Sequence, residues 1–233
     1  MKAPLPSNEE ERLAALRSFA ILDSEPEAEF DDLARVASYV CGTPIALISL
    51  VDDDRQWFKA RLGMERRETP RDHAFCAHAI LGEETMIVAD ARADERFRDN
   101  PLVLDDPNIR FYAGTPLRTR EGLGLGTLCV IDSEPRFSQP LAAAQIEALE
   151  ALSRQIVRLL ELRRASKRLA EALSRVKTLA PLVPICSWCQ RVRDDQDYWS
   201  SVEEYLGQHA GVKITHGMCP TCADEMAEGA AGP

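Results

Sequence analysis

Two pairs of cysteines near the C-terminal end of the sequence have the spacing of metal ligands. Cys186 and Cys189 form one CxxC pair, and Cys219 and Cys222 form a second. A turn inside each pair can direct both sulfur atoms at one point, and two pairs supply the four thiolates of a tetrahedral Zn²⁺ site. The 29 residues between the pairs, 190–218, exceed the usual spacing of a zinc ribbon. The sequence therefore predicts one structural zinc per chain and an insert with its own structure.

The same four thiols have two alternative interpretations. They are ordinary cysteines, or they are redox pairs that oxidise and release a metal. The N-terminal sequence MKAPLPSNEEER has acidic residues where a secretory signal would be apolar, and the chain has seven cysteines, an odd number. These features predict a cytoplasmic protein. In a reducing compartment, CxxC pairs indicate metal or redox chemistry before structural disulfides.

Composition limits the partners that this chain can have. Its 233 residues suffice for one large domain, or for one domain and a small module, and 45% hydrophobic residues support a packed core. The net charge of -10 argues against nucleic acid and against anionic membrane surfaces, since both attract basic proteins. No stretch approaches the length of a membrane span. We therefore expect small molecules and proteins as partners.

Periodicity in the first part of the chain predicts two helices. Ser7 and Glu10 have the spacing of a capping box that opens the first helix. Apolar residues then recur at helical spacing until Gly42, which is predicted to end the second helix.

Three segments predict the centre of a sheet. The continuous run 45–51 is typical of a buried strand, and 55–61 follows it as a hairpin partner. Alternation along that partner places Trp57 on one face and Phe58 on the other. The segment 125–131 is apolar on both faces, which predicts a central strand.

A long helix is predicted over residues 138–180. As one helix it would be roughly 60 Å long, more than a small globular core needs. Its leucines follow a spacing compatible with heptads, which predicts a coiled-coil homodimer. The alternative is a helix that folds back on its own domain. The leucines that carry the coiled-coil prediction in its second half are Leu162, Leu169 and Leu173.

Up to about residue 135 the sequence resembles a GAF domain of the bacterial sensory type. The stretches that carry the resemblance are ERLAALRSFAILDSEPEAEFDDLARVASYVCGTPIALISLVDDDRQWFKARLGM, FCAHAI, RFYAGTPL and LGTLCVIDSEPR. The resemblance implies an α+β fold, with an antiparallel sheet, helices on one face and a ligand cavity over the other. Such domains act as sensory or dimerisation modules in two-component and cyclic-di-nucleotide signalling proteins.

The C-terminal part also resembles a known module. LVPICSWCQRVRDDQDYWSSVEEYLGQH, followed by THGMCPTC, is similar to a small cysteine module at the ends of bacterial PAS-, GAF- and receiver-containing proteins. It departs from that pattern at Gln190, where Lys is usual, and at Asp197, where Gly is usual. Neither departure affects a cysteine. The predicted organisation is a GAF sensory domain at 1–137, the dimerising helix at 138–180, a zinc module at 181–225 and a flexible tail at 226–233.

Candidate ligand-binding residues cluster around the expected GAF cavity. Cys76 and His78 suggest a cofactor-attachment or redox site, but we favour a buried thiol and a histidine bonded to backbone. The aromatic candidates are equally compatible with the sheet core. The complete set of pocket candidates is Trp57, Phe58, Phe75, Cys76, His78, Phe111 and Tyr112.

These features predict a cytoplasmic sensor or adaptor that is not an enzyme. The long helix has no phosphoacceptor histidine, and no ATP-binding domain or nucleotide-cyclase motif appears. A small ligand or a redox signal would act at the GAF cavity, and the helix would relay it to a protein partner. The alternatives are a thiol enzyme resembling free methionine sulfoxide reductases, with Cys76 or Cys129 as nucleophile, and a zinc or thiol redox switch.

Overall fold

The chain forms two compact units, Met1–Ala172 and Leu173–Pro233. The computed structural model describes residues 2–138, 140–178, 184–194, 197–209, 213 and 215–229. Parts of all four predicted segments lie outside these residues: 1 of the GAF domain, 139 and 179–180 of the dimerising helix, 181–183, 195–196, 210–212 and 214 of the zinc module, and 230–233 of the tail. Residues 226–229, predicted as flexible tail, are helical.

Six strands and four helices lie wholly in the first unit. In chain order they are α1 (Glu9–Ser18), α2 (Ala28–Cys41), β1 (Ile45–Val51), β2 (Arg55–Leu62), β3 (Glu68–Pro70), α3 (Phe75–Ala79), β4 (Met86–Val88), α4 (Pro101–Leu104), β5 (Phe111–Arg118) and β6 (Gly124–Asp132). A short 3-10 helix, Arg71–His73, precedes α3. Helix α5 (Ala143–Thr178) starts in this unit and extends into the second.

The six strands form one antiparallel sheet in the order β3-β2-β1-β6-β5-β4. The strand predicted to be central, β6, lies between β1 and β5. All seven residues of β1 are buried, as expected for a strand covered on both faces. The predicted α+β fold with an antiparallel sheet is therefore confirmed for the first unit.

Side chains that alternate along the strands build two separate cores. On one face, Ile48 packs with Phe30 of α2 and with Leu149 and Ile156 of α5. On the other face, Leu47 packs in a second cluster that contains Phe75, Tyr112 and Cys129. Helices α1, α2 and α5 thus cover one face, while α3 and α4 cover the face expected to hold a ligand.

Helix α5 has a buried half and an exposed half. Leu149, Ile156 and Leu160 are buried in the first core. This part of the helix packs on its own domain, as in the folded-back alternative. Leu162, Leu169 and Leu173 are instead 67%, 62% and 56% exposed.

The predicted capping box does not form at α1. The residue that caps this helix is Asn8, and its side chain makes no capping hydrogen bond. Helix α1 is fixed instead by Arg12, whose buried guanidinium donates to the Val51 carbonyl at 2.7 Å. At the end of α2, Gly42 has φ of +61°, a left-handed conformation that glycine adopts without strain, as predicted.

The described residues of the second unit form two short strands and two further helices. They are β7 (Val192–Arg193), β8 (Trp199–Ser200), α6 (Val202–His209) and α7 (Pro220–Gly229). Strands β7 and β8 pair antiparallel, with Val192 opposite Ser200. Across both units, the helices of the described chain include none long and apolar enough to cross a bilayer.

Candidate functional site

A small cavity lies in the second core, between the sheet and α3. Its volume is about 20 Å³, which exceeds the roughly 10–15 Å³ that one water molecule needs. The lining combines apolar side chains with two thiols and two polar groups. The residues are Leu47, Gln56, Phe58, Met64, Thr69, Phe75, Cys76, Leu102, Ile109, Tyr112, Cys129 and Ile131.

Cys76 and Cys129 are neighbours in the wall of this cavity. Helix α3 and strand β6 carry them, and their sulfur atoms lie 3.9 Å apart. Two hydroxyl groups donate to Cys76 Sγ, from Thr127 at 2.9 Å and from Tyr112 at 3.3 Å. Tyr112 has room because residue 114 is glycine, where a Cβ would collide with the Tyr112 hydroxyl.

These contacts make Cys76 the more acidic and Cys129 the less acidic of the two thiols. Burial raises the pKa of Cys76, but hydrogen bonds from Cys129, Thr127 and Tyr112 outweigh burial and lower it. The contact with Cys76 and burial both raise the pKa of Cys129. Hydroxyl and thiol donors thus favour a thiolate at Cys76.

Two polar atoms in the cavity wall have no protein partner. They are Gln56 Oε1 and Thr69 Oγ1, on residues that are 5% and 4% exposed. A buried polar group without a partner is costly, so these atoms favour a small polar occupant.

The pocket candidates from the sequence divide between the two faces of the sheet. Phe58, Phe75, Cys76 and Tyr112 line the cavity. Trp57 and Phe111 do not, because neighbours in a strand point to opposite faces, and both pack in the first core. Trp57 lines a separate surface groove of about 640 Å³.

His78 is not part of the cavity lining either. Its ring lies edge-on to Phe97, with the ring centroids 4.9 Å apart. Cys76, two residues before His78, lines the cavity and is buried, as predicted when it was interpreted as a buried thiol.

A partly buried ion-pair network connects strand β2 to helix α5. Lys59 Nζ is inaccessible to solvent and lies 2.6 Å from Glu27 Oε1. The same carboxylate accepts a hydrogen bond from Arg163 Nε of α5 at 2.9 Å. Lys59 follows directly after Phe58, which lines the cavity, so this network joins the cavity wall to the helix. Sequence reasoning did not find it, because Glu27 and Arg163 are 136 positions apart.

Each C-terminal CxxC pair has local geometry that suits thiolates. The Gln190 amide donates to the Cys186 carbonyl at 2.9 Å, and the Cys222 amide lies 3.5 Å from Cys219 Sγ. Backbone N–H groups lower the pKa of Cys186 and of Cys219. The two pairs are not brought together, since the described residues include no group of three or more His, Cys, Asp or Glu that could hold a metal ion.

Sequence comparison identifies the class of domain that is formed by this sheet, its helices and its cavity. The chain belongs to the GAF domain family, whose sequence model matches residues 25–160. That match does not extend to the predicted C-terminal cysteine module, which the comparisons therefore do not support.

One relative is a cyclic di-GMP phosphodiesterase of Pseudomonas aeruginosa. It is 48% identical to this chain over 154 residues, which are 66% of this chain and 26% of the relative. This chain thus spans about a quarter of that relative's length. Together with the GAF family match, this similarity supports a role as a signalling sensor or regulator.

Two solved structures resemble this chain in fold. The GAF domain of a phosphoenolpyruvate-protein phosphotransferase from Acinetobacter is 19% identical, with a TM-score of 0.49 over 68% of this chain and 98% of that chain. The free methionine-R-sulfoxide reductase of Neisseria meningitidis is 17% identical, with a TM-score of 0.46 over 72% of this chain and 98% of that chain.

The prediction that this chain is not an enzyme is contradicted by the comparison with the Pseudomonas relative. At 48% identity, a relative named as a phosphodiesterase points to an enzyme. The prediction was based on missing kinase and cyclase motifs, which do not bear on phosphodiesterases.

Proposed function

We propose that this chain is the regulatory GAF module of a cyclic di-GMP phosphodiesterase system, in which it senses a small polar or redox signal. The observation that carries this proposal is the 48% identity over 154 residues to a cyclic di-GMP phosphodiesterase. The cavity and its unpartnered polar atoms supply a place for the signal. The substrate of the system would be cyclic di-GMP.

The ion-pair network offers a route by which the cavity would influence helix α5. An occupant that displaces Phe58 also moves Lys59, its neighbour in β2, and therefore changes the distance to Glu27. Glu27 shares its carboxylate with Arg163 of α5. The ion-pair network must have two alternative arrangements for the helix to move. The signalling molecule shifts the helix only if its affinity for the chain differs between these arrangements.

The exposed half of α5 supports homodimerisation as part of this proposal. Leu162 and Leu169 are seven positions apart and Leu173 follows four later, a spacing that places them along one side of the helix. Pairing two copies would remove these side chains from water. A helix pair of this kind would report the state of the GAF domain to a protein partner.

The cysteine pairs support a structural zinc site as a further part of the proposal. The observation behind it is the spacing of the two CxxC pairs, which can supply the four thiolates of a tetrahedral Zn²⁺ site once the pairs come together. Cys186, Cys189, Cys219 and Cys222 would be the ligands. The alternative, a redox switch, uses the same four thiols, and metal analysis separates the two.

The regulatory role is tested by measuring cyclic di-GMP in cells that express the chain. We expect the wild-type chain to change the cyclic di-GMP level relative to an empty vector. Arg163→Ala should lose that change, because it removes the contact between Glu27 and α5. Arg168→Ala, an exposed arginine of the same helix, is the matched control and should behave as wild type. Equal levels in all four strains would overturn the proposal.

A further inference from the structure

The second core contains two thiols that its packing does not require. Cys76 and Cys129 are 1% and 0% exposed, and their sulfur atoms are 3.9 Å apart. A core needs only apolar side chains of similar volume at these positions. Hydrogen bonds from Thr127 and Tyr112 are instead directed at one sulfur atom of the pair.

The polar atoms of the cavity point to the kind of molecule that would enter. Gln56 Oε1 accepts hydrogen bonds, and the Thr69 hydroxyl donates or accepts them. Both are unpartnered and line the same cavity as the two thiols. A volume of about 20 Å³ excludes nucleotides and metabolites but admits a molecule with two small O–H groups.

We propose that Cys76 and Cys129 form a peroxide-reactive pair, and that the cavity admits hydrogen peroxide to Cys76. This inference deepens the proposed sensory function, on which its role in signalling rests, by naming the signal. Cys76 is the attacking thiol because the hydroxyl donors of Thr127 and Tyr112 stabilise its thiolate. Cys129 is the second thiol because it is the neighbouring sulfur.

The reaction balances with hydrogen peroxide as the sole oxidant. The Cys76 thiolate attacks one peroxide oxygen, the O–O bond breaks, and the leaving hydroxide takes up the proton that Cys76 released, which gives water. Cys76 is then a sulfenic acid. The Cys129 sulfur attacks the Cys76 sulfur, an S–S bond forms, and the sulfenic oxygen leaves as a second water with the Cys129 proton. The two thiols lose two electrons, and the peroxide gains them.

Peptide mass mapping of the reduced full chain tests the pair directly. The chain is treated with hydrogen peroxide, denatured and alkylated. We expect a cross-linked Cys76–Cys129 peptide that forms faster than any oxidation of Cys41. Cys41 is the internal control because it is also buried, and burial raises its pKa to about 11. Recovery of Cys76 and Cys129 as alkylated thiols, or oxidation no faster than at Cys41, would overturn the proposal.

Two variants test the separate roles of the second thiol and the hydroxyl donor. In Cys129→Ser, Cys76 should accumulate as a sulfenic acid that a 1,3-diketone reagent traps when the chain is denatured in its presence after the peroxide has been removed. Thr127→Val keeps both thiols and should slow the reaction about tenfold, because it removes a hydrogen bond to the thiolate. An unchanged rate in Thr127→Val would contradict the role of the hydroxyl, even if Cys129→Ser fails to fold.

The size of the oxidant tests the cavity. Cumene hydroperoxide carries the same O–O bond on a bulky group, so it should oxidise Cys76 much more slowly than hydrogen peroxide does. Equal rates would overturn the role of the cavity. All of these measurements use the purified chain without cyclic di-GMP. A failure here is therefore distinguishable from a failure of the proposed regulatory function.

Discussion

Arg163 of helix α5 lies 2.9 Å from the Glu27 carboxylate, which also binds the buried amine of Lys59 at 2.6 Å. Glu27 directly precedes α2, Lys59 belongs to β2 at the sheet, and Arg163 lies beyond the buried half of α5. Arg163 also donates to the Ala20 carbonyl at 3.0 Å. One carboxylate thus joins three elements that are distant in sequence.

Replacement of Glu27 by glutamine should destabilise the first unit by about 3 kcal/mol. The amine of Lys59 is inaccessible to solvent, so the substitution leaves a buried charge without its counter-ion. Urea denaturation followed by tryptophan fluorescence measures the loss. Asp32→Asn is the matched control, since the Asp32–Arg35 pair is 67% exposed on both sides and should contribute less than about 1 kcal/mol. Equal effects of the two substitutions would contradict the assigned role of Glu27.

Acid should weaken the first unit through Glu9. Burial raises the pKa of Glu9, but Arg12 and Arg71 outweigh it and lower the pKa to about 2. The pKa of Glu9 is lower in the folded chain than in the unfolded chain. Its carboxylate therefore stabilises the fold fully at pH values above the unfolded pKa, and this stabilisation is lost as the pH falls toward 2.

The variant Glu9→Gln checks this pH dependence. It should be about 3 kcal/mol less stable than wild type at neutral pH, since it leaves the buried Arg12 without its carboxylate partner. The difference in unfolding free energy should shrink as the pH is lowered toward 2. Glu10→Gln, on an exposed position of the same helix, should change stability by less than about 0.5 kcal/mol. If the difference in unfolding free energy between wild type and Glu9→Gln does not change with pH, the ion pair is not its cause.

Local patterns predicted the strands but not the contacts between distant elements. Alternation placed Trp57 and Phe58 on opposite faces of β2, and that is correct. Alternation could not show which face of the sheet carries the cavity. Trp57 and Phe111 were therefore predicted to line the pocket, although they pack in the first core. Gln56 and Thr69 were missed because a polar side chain in a strand is usually solvated. Their burial depends on the pairing of β2 with β3.

Zinc binding by the second unit is measured by native mass spectrometry. We expect one zinc ion per reduced chain, bound by Cys186, Cys189, Cys219 and Cys222, because each pair favours thiolates. Cys219→Ser should lose the metal and the folding of the second unit, while the GAF domain keeps its thermal transition. Cys41→Ser is the control and should keep the zinc. A reduced, folded chain without metal would contradict the site and favour the redox interpretation.

Dimerisation through α5 is measured by light scattering. The double substitution of Leu169 and Leu173 by glutamate places charges in the exposed apolar half of the helix and should give a monomer. The GAF domain should remain folded, because the residues of α5 in its core are Leu149, Ile156, Val157 and Leu160. A dimer of unchanged mass would rule out this helix as the main interface.

The rate of cyclic di-GMP hydrolysis tests the central claim most directly. Lysates of cells that express the wild-type chain, the Arg163→Ala chain or an empty vector are supplied with cyclic di-GMP, and the linear product is quantified over time. The account predicts that the wild-type chain changes the hydrolysis rate relative to the vector, and that Arg163→Ala returns the rate toward the vector value. The same rate in all three lysates would contradict it.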